Sequence, residues 1–200
     1  MPETNDSFPT QGNMQNDRPL DMNQKTLKNS SLNEINELLL DAEEKYTING
    51  RVTSYYMDIV QNALILVRSI FFDLTPEEMY DGLIFGQDML KRGLSGYMIA
   101  KGFFSEELLP VMIQTVHDDC EFAYKFIFTL QEHLSRDELV DIIGVAFKSQ
   151  HHNVRWNALS VTRKEQLTEL LSLVEGLMQS PGKPERSLAT KIFNELQSKE

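Results

Sequence analysis

Residues 134–139 read LSRDEL, and this short stretch decides the fold class. A hydroxyl, Ser135, stands between an apolar residue and a charged turn, and Glu138 follows three positions later. That is the spacing of a capping box. The hydroxyl accepts from an amide of the first helical turn, and the carboxylate reaches back to the amide of the cap. Leu134, just before the cap, holds the staple position. The same opening recurs in LTPEEM from Leu74, FSEELL from Phe104 and VTRKEQL from Val161. The four hydroxyls, Thr75, Ser105, Ser135 and Thr162, are spaced 30, 30 and 27 residues apart. Thr75–Glu78 and Thr162–Glu165 keep the box spacing, whereas the glutamates after Ser105 come one and two positions on.

Each unit also carries a breaker near its middle: Arg92-Gly93, His117–Asp119, Ser149–Asn153 and Ser180–Pro184. Such a unit reads as a helical hairpin, and about 30 residues is the size class of helical solenoid repeats. No tetratricopeptide or ankyrin consensus is met. The competing reading is an irregular helical bundle whose helices share good N-caps. Both are all-α.

Outward from the repeat, SSLNEINELLLDAEEKY opens on Ser31 with Glu34 in box position, and Ile35, Leu38, Leu39 and Ala42 share one face. Asn49-Gly50 breaks the chain. Val52–Phe72, VTSYYMDIVQNALILVRSIFF, is apolar nearly all round in its middle and is expected to be the central, most buried helix. The expected architecture is about nine or ten helices stacked as hairpins over residues 30–198. Residues 1–29 are rich in Asn, Asp, Gln, Ser, Thr and Pro without apolar periodicity. They read as a disordered polar tail, either a solvating extension or a segment that folds on binding.

Thirty carboxylates face nineteen basic residues, a net charge of −11. The excess falls before Thr162, where 24 acidic residues meet 13 basic ones. This field repels phosphate and anionic lipid, and no basic cluster opposes it, so the expectation is no nucleic-acid partner. It favours a basic or amphipathic protein segment, or else serves solubility. The longest apolar run, Ala63–Val67, is five residues against about 20 for a membrane span, so no membrane insertion is expected. One cysteine leaves no intramolecular disulfide. The N-terminus lacks a basic start and an apolar core. A cytoplasmic protein, or one exported without a signal peptide, is the expectation.

Chemistry concentrates in QTVHDDCEF, Gln114 to Phe122. Asp118 and Glu121 have capping-box spacing, so the stretch is expected to end one helix and cap the next. A metal reading needs His117, Asp118 and Asp119 to meet His151 or His152 across the edge where the mid-unit turns align. Zinc sites take about four ligands, usually Cys and His, and this chain is poor in both. Cys120, among acids, is expected to be a small buried side chain rather than a thiolate. His133 reads as a helix C-terminal residue. Gly82 and Gly86, four apart, predict close helix packing rather than phosphate binding, since no Gly-Lys-Ser/Thr pattern accompanies them. Hydrolase and kinase signatures are missing from the sequence.

Aromatic content points elsewhere. Eleven Phe, six Tyr and nine Met exceed the needs of one core. Tyr124 and Phe128, four apart and off the Phe122/Phe126/Leu130 face, make a second apolar strip. With Phe103, Phe104 and Trp156 they are the candidate contacts for a partner helix or peptide. The functional expectation is a non-enzymatic interaction module, an adaptor or chaperone-like subunit without cofactor or metal. Two alternatives stand beside it: a small helical metal-dependent enzyme on the His117–Asp119 edge, and a secreted bacterial effector or secretion-system adaptor.

Overall fold

The computed structural model describes residues 31–48 and 51–198. The expected tail, residues 1–29, lies outside the described residues, as do Asn49 and Gly50. Among the described residues there are ten α-helices: α1 (Leu32–Tyr46), α2 (Ser54–Ile70), α3 (Pro76–Ile84), α4 (Asp88–Met98), α5 (Leu109–His117), α6 (Ile127–His133), α7 (Arg136–Ala146), α8 (His152–Glu165), α9 (Leu171–Leu177) and α10 (Lys183–Gln197). Short 3-10 turns precede three of them: Glu106–Leu108 before α5, Glu121–Lys125 before α6 and Thr168–Leu170 before α9. A two-residue ribbon, absent from the sequence reading, pairs β1 (Thr47–Ile48) with β2 (Arg51–Val52), Thr47 opposite Val52. Its strands flank Asn49-Gly50, the dipeptide most favoured in tight hairpins.

Consecutive helices pair as hairpins, and the hairpins stack. The first helices form one row, α1 against α3, α3 against α5, α5 against α7, and α7 against the turn leading into α9. The second helices form the other, α2 against α4, α4 against Glu121–Lys125, α6 against α8, and α8 against α10. One apolar cluster runs between the rows, with Leu39, Val67, Leu94, Met112, Phe126, Ile143, Leu159 and Ile192 all fully covered.

Polar bonds repeat at the same interval. Lys125 Nζ donates to Ser95 Oγ (2.8 Å), the Ser149 hydroxyl to Asp119, Arg155 Nε to Glu185 (2.8 Å) and Arg163 Nε to Glu195 (2.6 Å). Each pair is 30 to 32 residues apart. Arg155 Nη1 donates to Ser149 O and Arg186 Nη1 to Ser180 O, both at 2.7 Å, so one contact recurs 31 positions on. At the last two turns the stack therefore repeats one contact at an interval of 31 residues.

Three capping boxes form, at Ser31, Thr75 and Ser135. Two expected caps do not. Ser105 is extended (φ −138°) and its side chain caps nothing. Thr162 lies fully buried near the end of α8, where the Val154, Ala158, Leu159, Val161 face carries it into the core. Its carbonyl accepts from Gln166 and Leu167, and Gln166 ends the helix in the left-handed region (φ 52°).

Arg92-Gly93 does not break its unit either. α4 runs through it, and Gly93 is small because Leu64 of α2 occupies the space a Cβ would need. The break falls at Phe85–Gln87, where the Gln87 side chain caps α4 by accepting from Met89 N (2.6 Å). Its Nε2 donates to Glu43 and to the Tyr56 hydroxyl, tying α1 and α2 to this turn.

The Val52–Phe72 segment is not the central buried helix. α2 packs on α1 and α4 with Tyr56, Val60, Ala63, Val67 and Ile70, and leaves Met57, Ile65 and Arg68 in solvent. It is apolar on its outer face as well.

Candidate functional site

The turns between helices do align, as the bond between Asp119 and Ser149 demonstrates, but the histidines do not gather there. Asp118 is the C-cap of α5, and its carboxylate accepts from the Tyr80 hydroxyl (2.5 Å) and from Gln114 Nε2 (2.8 Å). Those two donors hold the carboxyl below its ordinary range, and the Asp118 partner raises the Tyr80 phenol. The expected box from Asp118 to Glu121 is therefore not made. Asp119 takes a left-handed conformation (φ 52°), and Cys120 leads into the 3-10 turn without a side-chain cap.

Asp119 accepts from the Ser149 hydroxyl and from Gln150 N (3.1 Å), so serine and backbone amide stand where the metal reading needed histidine. His151 contributes its backbone amide, which donates to Ser149 Oγ (3.0 Å). His152 points away to the next unit, its Nδ1 lying 3.7 Å from Glu185. His117 is exposed at the end of α5 beside Leu134 and Asp141. Among the described residues no three of His, Cys, Asp and Glu stand close enough to hold a metal ion. Cys120 is buried, its Sγ 3.5 Å from the Leu83 carbonyl, and burial pushes its thiol up.

The apolar candidates fare differently. Phe103 sits in a cluster at the C-terminal ends of α2 and α4. It stacks on Phe72 (5.1 Å), meets Phe71 edge-on (5.4 Å) and lies 5.2 Å from Tyr97. Arg68 lies 5.8 Å above its ring. The Tyr97 hydroxyl donates to Leu64 O (3.1 Å), which fixes α4 to α2. Phe128 is exposed on α6, one turn after Lys125, whose Nζ is anchored to Arg92 O and Ser95 Oγ of α4. Burial lowers the Lys125 ammonium below its usual range, and Arg92 adds to the effect.

Tyr124 is half-buried near Phe122, and its carbonyl accepts from Asn157 Nδ2 (2.7 Å). Phe104 packs on the His133 ring (4.4 Å), and Trp156 lies half-buried beside His152 (5.8 Å). Of the five candidates only Phe128 is exposed; Phe103 is partly buried in its aromatic cluster, Phe104 and the Tyr124 backbone contact the neighbouring unit, and Trp156 packs beside His152 of its own helix.

Other large apolar side chains are more exposed or nearly as exposed: Phe85 (76%), Phe72 (70%), which stacks on Phe103, Ile65 (64%) and Ile99 (38%). Met57 and Ile65, eight apart on α2, both face solvent, and Phe72 follows in the 3-10 turn Phe71–Asp73, so this segment has an outer apolar side as well as an inner one. The all-round apolarity of Val52–Phe72 was the signal. Compared with protein-family models, curated proteins and solved structures, the chain has no significant match.

Proposed function

We propose that this protein is a non-enzymatic interaction module that holds a protein partner on the strip formed by Ile65, Phe72, Ile99, Phe103 and Phe128. One observation carries the proposal: Ile65 on α2, Phe72 in the 3-10 turn that follows it and Ile99 at the end of α4 are exposed on neighbouring elements, and Phe72, 70% exposed, stacks on Phe103. Contiguous exposed apolar surface of this kind marks interaction sites. Fully covering a Phe or Ile side chain contributes about 1.5–3 kcal/mol, so a few such anchors suffice for a specific complex. The surface sits on a fixed platform, since the Tyr97 anchor joins α4 to α2 and the Lys125 anchor joins the turn leading into α6 to α4. An adaptor or chaperone-like subunit fits this surface better than an enzyme, because the polar groups at the turn edge are engaged in joining units.

The test is site-specific photocrosslinking in the native host. A photoreactive residue placed at Phe72 or Phe128 should capture one discrete protein, and one placed at exposed Glu175 should not. The double change Ile65→Ser and Phe72→Ser should abolish capture while helicity and melting temperature stay near wild type. Equal capture from all three positions would reject the assignment.

A further inference from the structure

Exposed apolar side chains are not spread evenly along the stack. Of the eight large ones among the described residues, five lie on the first hairpin and its ribbon: Leu40, Val52, Met57, Ile65 and Phe72. None follows Phe128. In a stack of repeats the terminal units are normally closed by a polar outer face. The last hairpin obeys that rule, since α9 and α10 expose no large apolar side chain. The first hairpin does not.

The charges around Ile65, Phe72 and Ile99 also differ from those elsewhere. α2, the turn Phe71–Asp73, α4 with Lys101, and the turn Glu121–Lys125 with α6 carry five basic and five acidic residues. This surface is therefore neutral in a chain of net charge −11. Among the described residues none of these ten groups makes an ion pair. Farther along the stack Arg136–Glu169, Arg155–Glu185 and Arg163–Glu195 do pair within the chain. Both signs stand near the apolar centre. Arg68 lies between Ile65 and Phe72, Asp73 follows Phe72, Asp58 precedes Ile65 by seven residues and Lys101 follows Ile99 by two.

A partner of a single sign would be repelled by half of these groups. What fits is a surface that is apolar at its centre, neutral overall and carries both signs around it. A second copy of the same surface meets this requirement by symmetry, because a two-fold contact sets residue i against j and j against i. It also doubles the anchors, covering both Phe72 rings and both Ile65 side chains at once. The other faces are unbalanced. On the row of first helices only Lys45 and Arg136 oppose the carboxylates, and α8 with α10 carry six basic residues against three acidic ones. Two copies meeting there repel each other.

Resting on the interaction reading above, we infer that the partner held on this surface is a second copy of the chain, in a two-fold dimer centred on Ile65 and Phe72.

The experiment is sedimentation equilibrium on the full chain from about 1 to about 200 μM, where modest interfaces associate. The mean mass should rise from 23.0 kDa to about twice that value and stop there. Ile65→Ser with Phe72→Ser should leave a monomer of unchanged helicity. Arg68→Glu and Asp73→Arg, made separately, should each weaken the dimer at least about tenfold, because each sets like charge against like charge. An equal mixture of those two variants should form mixed dimers more tightly than either alone, since one surface is then negative and the other positive. A chain that stays monomeric throughout overturns the inference, as does a dimer that survives the double change to serine. Opposite effects from the two charge reversals also overturn it. A mass that climbs past two chains overturns it in favour of head-to-tail contact. A crosslink from Phe72 to residues 1–30 of its own chain overturns it in favour of self-occupancy. If the chain is monomeric while photocrosslinking at Phe72 captures a different protein, the occupant is wrong and the surface stands. If capture also fails, the surface itself is wrong.

Discussion

Glu185 is the most constrained charged residue of the fold. It is 0% exposed, near the start of α10, and it receives Arg155 Nε (2.8 Å), Arg155 Nη2 (3.2 Å) and the Ser180 hydroxyl. Burial alone would raise its pKa, but the Arg155 and Ser180 hydrogen bonds outweigh burial and hold the carboxyl below its ordinary value of 4.5. A depressed folded pKa means that ionised Glu185 stabilises the native state. That contribution is complete above the unfolded value and is lost as pH falls through the folded one. Removing one partner of such a buried pair leaves the other uncompensated and costs about 3 kcal/mol. Glu185→Gln should therefore destabilise the protein by about that amount at pH 7. Urea titrations from pH 7 to about pH 3 should show the two stabilities converging as the wild-type carboxylate protonates. A gap that stays constant down to pH 3 would mean that Glu185 ionisation does not hold the last hairpin in place.

At the scale of the helix, Thr162 shows what a local pattern leaves out. Its hydroxyl is fully buried with no hydrogen-bond partner, which carries a desolvation cost of roughly 1–3 kcal/mol. Thr162→Val keeps the shape and removes the hydroxyl, so it should raise stability by about 1 kcal/mol, read as a higher urea midpoint at unchanged slope. An N-cap role, as the VTRKEQL pattern suggests, predicts a loss of about 1 kcal/mol. The two readings differ in sign. The pattern was the same at Ser135 and at Thr162; the phase of the preceding apolar face separated them. At Ser135 the apolar residues of α6 stop at Leu134, whereas the face of α8 continues through Val161 and Thr162. Hairpin units, three of four breakers and the three true boxes were legible because they rest on short-range capping and turn chemistry. The strip was legible only in part. Tyr124 and Phe128 stood out by spacing within one helix, but Phe72 meets Phe103 across thirty residues of sequence, and no local period records that meeting.

Across the whole molecule, the acidic residues concentrate on the row of first helices, where only Lys45 and Arg136 oppose them, and that sorting governs stability. A stack of hairpins is held by contacts between neighbours, so repulsion along one row acts on every interface at once. Fifteen carboxylates lie on the first helices and the 3-10 turns leading into α5 and α9, and most face solvent, as Glu37, Glu77, Asp81, Glu107, Asp137 and Glu175 do. Only Asp41 with Lys45 and Glu169 with Arg136 are paired on that row among the described residues. Exposed pairs contribute about 1 kcal/mol at most, so salt removes little attraction while it screens a long file of like charges. The melting temperature should therefore rise by a few degrees between roughly 20 and 300 mM NaCl. Asp141→Asn, which lightens the same row at an unpaired position, should raise it at low salt and lose most of that advantage at high salt. A melting temperature that falls steadily with salt would place the dominant electrostatics in the cross-unit pairs, Arg155–Glu185 and Arg163–Glu195, instead of in repulsion along the acidic row.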